Sequence, residues 1–167
     1  HGNELTALPA TLASLTNLQQ LRLNGNSLSS LPPGLNRLTS LVSFVASSNP
    51  LTALPADLFN GLTQLQRVDL GYTHLSALPE FASPRYPYLK SIALDDSRLT
   101  TLPDSIGRLT NLTSLTAFSN QLMSLPDSLG NLVKLRSLIL HDNLLSTLPP
   151  GVGKLTGIDY FSLANNR

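Results

Sequence analysis

The amino-acid sequence predicts an α/β solenoid, in which one short strand from each of several repeats adds to a single parallel sheet. Two observations predict this fold: an internal repeat with a step of 23 or 24 residues, and a fixed spacing of leucine-type residues inside each repeat. Each repeat reads apolar-x-x-apolar-x-apolar-x-x-Asn-x-Leu, with two departures at the Asn position. The repeats begin at Leu18, Leu41, Leu65, Leu89, Leu112, Leu135 and Ile158.

The first element of each repeat is predicted to be a strand. In the first repeat, apolar and polar residues alternate around Leu21 and Leu23, which is typical of a half-buried strand. Burying one leucine contributes about 1.5–3 kcal/mol, whereas ordering one backbone residue costs about 1–2 kcal/mol. A strand this short therefore cannot be stable alone, and we expect the repeats to be stable only as a stacked array.

An asparagine ladder is predicted where the chain turns after each strand. Backbone groups lose their sheet partners there, and a carboxamide can satisfy them because it carries both a donor and an acceptor. Thr73 and Ser97 replace asparagine in two consecutive repeats, and we expect a locally weaker ladder because a hydroxyl serves only part of that role. The predicted ladder consists of Asn26, Asn49, Thr73, Ser97, Asn120 and Asn143.

A Leu-Pro pair marks the turn to the outer side, where we expect short 3-10 or irregular segments because proline cannot extend a sheet. Two repeats depart from the pattern here. Residues 54–62 contain one extra residue and Phe59, and residues 78–88 contain Pro84 and Pro87 and lack the usual leucines. The prolines argue against a helix, so we expect an irregular bulge at residues 78–88. Loop variation on the outer face and a functional insertion would both explain it.

Across its whole length the chain resembles the leucine-rich repeat superfamily. The 23-residue form with Leu-Pro and Leu-Thr-x-Leu is similar to the bacterial, plant-intracellular and Roco-type repeats. This resemblance implies a right-handed horseshoe with a parallel sheet on its concave face and short segments on its convex face. It also implies a role in binding other macromolecules.

The repeat pattern predicts one leucine-rich-repeat domain over residues 1–167, with no linker. Partial repeats occupy residues 1–17 and 158–167, and the full repeats lie between them. Solenoids normally need polar capping repeats at their ends, and the pattern shows none. We therefore hypothesise that the chain is an excised piece of a longer protein.

Composition excludes several classes of function. The chain has 11 Lys+Arg against 10 Asp+Glu, a formal net charge of +1 and 13% charged residues. A surface for nucleic acid or anionic membrane needs a basic excess, so we predict no nucleic-acid partner. No run approaches the roughly 18 consecutive apolar residues of a membrane span, so we predict no membrane insertion. The chain also has no cysteine, which excludes a thiol nucleophile and cysteine-based metal sites.

No motif in the sequence predicts catalysis. Residues 151–154 read Gly-Val-Gly-Lys, but Leu155 follows where a phosphate-binding loop needs Ser or Thr, and the segment aligns with the repeat. His74 and His141 lie in different repeats, and a catalytic or metal site needs several converging groups. We therefore predict no catalytic residue, no metal site, no cofactor and no enzyme activity.

The candidate site lies on the concave face, where the variable strand positions must point outward if the leucines point inward. Basic residues collect at the start of the strands, and acidic and aromatic residues collect at their ends. Aromatic groups rimmed by charge are typical of protein interfaces; random variation of solvent positions is the alternative. The predicted partner-binding residues, called the concave patch below, are Arg67, Asp69, Tyr72, Asp95, Asp96, Phe118, Ile139, His141 and Asp142.

The predicted function is a monomeric protein–protein interaction scaffold that binds a protein partner on the concave face. One alternative is the substrate-recognition segment of a larger enzyme, as in bacterial effectors with ubiquitin-ligase domains or Roco-like GTPases. A second is a surface adhesion or structural protein. The sequence leaves the compartment open, with the cytoplasm or a secreted effector favoured.

Overall fold

The computed structural model describes residues 3–83 and 85–167. Seven three-residue strands form one parallel sheet in sequence order. Each strand pairs with the next at a fixed step, as in Leu21 opposite Phe44 and Phe44 opposite Val68. The strands are β1 (Gln20–Arg22), β2 (Ser43–Val45), β3 (Arg67–Asp69), β4 (Ser91–Ala93), β5 (Ser114–Thr116), β6 (Ser137–Ile139) and β7 (Tyr160–Ser162).

The outer side of the solenoid carries short 3-10 helices, and the described residues form no α-helix. Four of the five 3-10 helices begin directly after a proline whose φ lies near −70°, as in Pro103 and Pro126. The 3-10 helices span Ala10–Ser14, Leu35–Arg37, Asp104–Arg108, Asp127–Asn131 and Pro150–Lys154. The predicted solenoid with a parallel sheet and short 3-10 or irregular outer segments is thus confirmed.

The core is a continuous column of apolar side chains between the sheet and the outer segments. The middle residue of each strand from β1 to β6 is at most 7% exposed, whereas Phe161 in β7 is 39% exposed. The outer segments contribute a second row that faces it, including Leu38, Leu109 and Leu132. The alternation of one buried and two more exposed residues in β1 to β6 turns the other strand positions toward solvent.

The asparagines link consecutive coils of the solenoid, where one coil is the turn formed by one repeat. Both the oxygen and the nitrogen of each carboxamide take part. In Asn49, Oδ1 accepts from the Leu28 backbone N–H at 3.0 Å, while Nδ2 donates to the carbonyls of Leu23 at 2.9 Å and Ala46 at 3.1 Å. One side chain thereby holds its own turn and the coil before it. The same pattern recurs at Asn120, Asn143 and Asn166. Asn26 accepts from the Leu5 N–H and donates to the Leu23 carbonyl.

The two hydroxyl replacements make a different set of bonds. Thr73 Oγ1 donates to the Leu70 carbonyl at 3.0 Å and lies 2.9 Å from Ser97 Oγ, which also accepts from the Thr73 N–H at 3.2 Å. Because its side chain is short, Ser97 bonds to Thr73, the ladder residue of the preceding coil. An asparagine reaches further, to the backbone N–H two residues after the preceding ladder residue, as Asn49 reaches Leu28. That the ladder is weaker here stays a prediction.

Residues 78–88 follow an irregular path that is held by specific contacts; Pro84 lies outside the described residues. Phe81 stacks on Phe59 with ring centroids 4.5 Å apart, and Tyr86 meets Phe81 edge-on at 5.5 Å. The Tyr86 hydroxyl donates to the Phe59 carbonyl at 3.0 Å, and the Phe81 N–H donates to Ser105 Oγ at 2.8 Å. Phe81 and Tyr86 are 1% and 2% exposed, so aromatic rings fill the places of the missing leucines.

Within residues 3–83 and 85–167, no helical segment has the length and apolar character needed to cross a lipid bilayer.

Candidate functional site

The concave patch lies on the solvent-facing side of strands β3 to β6 and on the turns that follow them. Parallel pairing at a fixed step brings equivalent positions of neighbouring coils side by side, so the patch residues form rows across the sheet. In the central row, Asp69 pairs with Ala93 and Thr116 pairs with Ile139. Ile139 is half-buried at the β6 position of this row.

Asp95 is tied to the next coil by two hydrogen bonds. Its carboxylate accepts from the Thr116 hydroxyl at 2.8 Å and from the Phe118 backbone N–H at 3.3 Å. Burial raises the pKa of the Asp95 carboxyl above its ordinary value of 3.8, and nearby Asp69 adds to the rise. The two hydrogen bonds and His141 act in the opposite direction.

Phe118, His141 and Asp142 form a connected group next to Asp95. The Phe118 and His141 rings stack with centroids 4.7 Å apart and planes inclined by 14°. His141 Nδ1 lies 2.6 Å from Asp142 Oδ2, and Asn165 Nδ2 donates to Asp142 Oδ1 at 2.8 Å. The hydrogen bond to His141, followed by that from Asn165, lowers the pKa of the Asp142 carboxyl below 3.8. The group therefore presents a flat aromatic surface beside fixed negative charge.

Arg67 and Asp69 form an ion pair on β3. Arg67 Nη2 donates to Asp69 Oδ2 at 3.1 Å, with the arginine side chain 58% and the aspartate side chain 18% exposed. Since Arg67 is well solvated, this contact contributes little to stability. Its main effect is to neutralise one of the four aspartates of the concave patch.

Tyr72 occupies a backbone conformation that is unfavourable for its side chain. Its φ is +56°, in the left-handed region, and it is 55% exposed. The equivalent position also has positive φ in the other six coils, where the residue is always Gly, Ser, Asp or Asn. Glycine, asparagine and aspartate adopt this conformation more readily than tyrosine does. Asp96, with φ +49°, is the neighbouring residue in this row. The residues of the row are Gly25, Ser48, Tyr72, Asp96, Ser119, Asp142 and Asn165.

The structure thus shows two parts of the concave patch: a connected group of five residues, and Tyr72 with Asp96 beside it. Asp69, Asp95, Phe118, His141 and Asp142 are connected across the sheet by hydrogen bonds, ring stacking or electrostatic interaction. Tyr72 and Asp96 lie beside them and line a shallow depression of about 360 Å³ on the turns, together with Thr73, His74, Ser97 and Arg98.

Sequence reasoning missed three features of this site. Thr116, the donor to Asp95, was detectable as a hydroxyl in the row next to the carboxylate. Asn165, the donor to Asp142, was detectable as its neighbour in the following coil. The strained backbone of Tyr72 had a weaker signal, namely Gly25 and Asn165 in the same row.

We looked in the concave patch for metal ligands and for a nucleophile paired with a base. Among the described residues, no three His, Asp or Glu side chains come together as metal ligands. His141 contacts Asp142 and Phe118, and in the part of the chain that the structure describes no hydroxyl nucleophile is hydrogen-bonded to its ring. The concave patch combines an aromatic surface with fixed charge, which suits recognition of another molecule.

The opposite pKa changes of Asp95 and Asp142 give a testable pH dependence. Asp95 binds its proton more tightly in the folded chain, so stability should fall as pH rises from 3.8 through its raised pKa. Asp142 has a lowered pKa, so its contribution should be lost as pH falls from 3.8 through that lowered value. Urea unfolding at a series of pH values should show wild type losing stability relative to Asp95→Asn as pH rises.

For Asp142→Asn the slope should have the opposite sign, which makes it a matched control. Wild type gaining stability relative to Asp95→Asn as pH rises would contradict the raised pKa of Asp95.

Two family models, both described as leucine rich repeat, match the chain. One matches residues 63–122, and the other matches residues 17–38 and 134–155. Together these matches cover more than half of the sequence. The narrower assignment to the 23-residue class stays a prediction.

Solved structures share the fold. A leucine-rich repeat protein of Leptospira interrogans is 28% identical, with a TM-score of 0.67 over 99% of this chain and 48% of that chain. Toll in the Drosophila Toll–Spatzle complex is 31% identical, with a TM-score of 0.86 over 98% of this chain and 22% of that chain. The TLR13–ssRNA13 complex is 31% identical, with a TM-score of 0.73 over 87% of this chain and 22% of that chain.

This chain spans less than half the length of each of those proteins. The curated proteins contain no match to it. The coil-by-coil register of the sheet, the carboxamides that join the coils and the two matching family models together show that the chain belongs to the leucine-rich repeat family.

Proposed function

We propose that the chain is a protein-interaction scaffold and that its protein partner contacts the concave patch. Leucine-rich repeat proteins are in general recognition scaffolds rather than enzymes. The observation that carries the proposal is Tyr72, a large ring that is 55% exposed at a left-handed backbone position. Left-handed backbone costs about 1–2 kcal/mol for an ordinary residue. Nothing in the fold requires a tyrosine there, and strain of this kind clusters at functional sites.

The stacked pair of Phe118 and His141 gives further support. It is flanked by Asp95 and Asp142, whose carboxylates are held in place by neighbouring side chains. Rigid aromatic groups lose little entropy on binding, and aromatic residues dominate interface hot spots. The concave patch therefore has rigid anchors and fixed charge before a partner arrives.

Its charge favours a protein partner over a nucleic acid. The TLR13–ssRNA13 complex shows that a structure similar to this chain is found with RNA. The concave patch, however, has four aspartates against one arginine, and that arginine is paired with Asp69. Phosphate groups would be repelled by this surface, because nucleic-acid binding depends on basic contacts.

The test is affinity capture with crosslinking, in which the double variant Tyr72→Asn, Phe118→Ala is compared with wild type. We expect the amount of crosslinked protein partner to fall by roughly tenfold or more, as for hot-spot residues. Urea unfolding of the single variant Tyr72→Asn should show a gain of about 1 kcal/mol, because asparagine tolerates the left-handed conformation. Urea unfolding of the double variant is measured as well, and lost capture by a double variant that is still folded under the capture conditions cannot come from unfolding.

Tyr88→Ala is the matched control, since Tyr88 is 49% exposed but lies outside the concave patch. It should capture the same protein in the same amount as wild type. Equal capture by the double variant and wild type would refute the proposal.

A further inference from the structure

The irregular segment at residues 78–88 contributes to a depression formed by residues that precede β4 and β5. Tyr72 instead lies on a turn that follows a strand. The volume of the depression is about 510 Å³, within the range of small-molecule sites. Two arginines from consecutive coils, Arg85 and Arg108, both line it. Its lining residues are Arg85, Tyr86, Pro87, Arg108, Thr110 and Asn111.

The scaffold of this depression is held firmly. The Tyr86 ring is buried and its hydroxyl is bonded to the Phe59 carbonyl, so Tyr86 fixes the backbone beside Arg85. Arg108 Nη1 donates to the Phe81 carbonyl at 3.4 Å, which ties the second guanidinium to the same segment. The contacts at residues 78–88 thus hold the segment that carries Arg85 and the Arg108 guanidinium at the same depression.

The charge at the depression is one-sided. None of its lining residues is acidic, and in the described part of the chain no carboxylate forms an ion pair with Arg85 or Arg108. A third cation adjoins it, because Lys134 Nζ donates to Asn111 Oδ1 at 2.6 Å. The positive charge of these side chains favours an anionic ligand.

We propose that this depression is a binding site for a tetrahedral oxyanion, the phosphate or sulfate group of a ligand. Guanidinium groups bind such oxyanions through paired N–H donors. Arg85 and Arg108 supply these donors from two consecutive coils, and Thr110 and Asn111, which also line the depression, offer further polar groups. Lys134 adds positive charge at the rim. The site is separate from the concave patch and does not depend on the proposed function.

The test is a titration of the folded chain with sodium phosphate and with sodium sulfate, followed by ¹H–¹⁵N NMR. Sodium chloride keeps the ionic strength constant, so that general screening does not change. We expect saturable shifts of the Thr110 and Asn111 amides with at least one of the two anions. Whichever anion saturates at lower concentration identifies the group that the site prefers. Arg85→Ala should raise the dissociation constant by roughly tenfold, as expected for loss of a charged hydrogen-bonding partner.

Arg37→Ala is the matched control. Arg37 occupies the same place in its repeat as Arg85 and Arg108, directly before a buried residue of the outer row. The next coil has Gly61 in that place, so Arg37 has no second arginine in the coil that follows it. Removing this arginine deletes the same charge without touching the depression, so anion binding should change by less than about twofold. An equal loss in Arg37→Ala, or no saturable response to either anion, would overturn the proposal.

Discussion

Replacing Phe81 by alanine is expected to lower the free energy of unfolding by about 3–5 kcal/mol. The ring is 1% exposed and packs between Phe59 of the preceding coil and Tyr86 of its own. Alanine would leave a cavity between coils, and the remaining groups of a solenoid cannot close it because each coil is held by its neighbours. Urea unfolding followed by circular dichroism measures the change.

Two variants serve as controls for this result. Phe81→Leu keeps a large apolar side chain at this place, and it should cost less than about half as much as alanine. Phe161→Ala removes a ring that is already 39% exposed on β7, and it should cost roughly 1 kcal/mol. If Phe81→Ala costs no more than Phe161→Ala, the 78–88 segment is not part of the cooperative core.

The repeat step and the sheet register were predictable from the sequence because they follow from spacing alone. Leucines at a fixed step must enter one column, so the pairing of Leu21 with Phe44 follows from the alignment of their repeats. The asparagine contacts were predictable in kind, since only a side chain with both donor and acceptor can join two turns. How Thr73 and Ser97 share their bonds depends on side-chain length, which the repeat pattern does not express.

The structure of the 78–88 segment could be predicted from the repeat pattern only in part. Its prolines correctly indicated the absence of a helix in its described residues, but they also obscured the alignment of the outer row. Tyr86 stands three residues before Leu89, as Leu109 does before Leu112, and that spacing was the available signal for its burial. The stacking of Phe81 on Phe59 requires side-chain orientations that no spacing rule supplies.

For the concave patch, the exposed rows followed from strand alternation, whereas the contacts within them did not. Asp95 could have pointed to Asp69 or to Thr116, and its choice of Thr116 depends on burial and hydrogen-bond geometry. The stacking of Phe118 on His141 likewise depends on rotamers. Sequence therefore identified the candidates, and the structure supplied the connections among them.

Glycines on the outer side give the second large expected effect. A Cβ built on Gly130 would contact the backbone of Gly151 in the next coil, lying 2.7 Å from its carbonyl carbon and 2.8 Å from its Cα. Backbone cannot move aside as a flexible side chain can, so the two 3-10 helices would have to separate. Gly130→Ala is therefore expected to lower the free energy of unfolding by about 3 kcal/mol, the upper part of the range for overpacking.

Gly153 is the matched control, because it occupies the same place in its repeat as Gly130. A Cβ on Gly153 meets nothing within 4 Å. Alanine there reduces the freedom of the unfolded chain without a clash, and Gly153→Ala should raise stability by up to about 1 kcal/mol. The two substitutions are chemically identical, so opposite signs in urea unfolding would isolate contact between coils as the cause. Equal effects would mean that the outer 3-10 helices are not closely packed, and that the sheet and the leucine column alone hold the coils together.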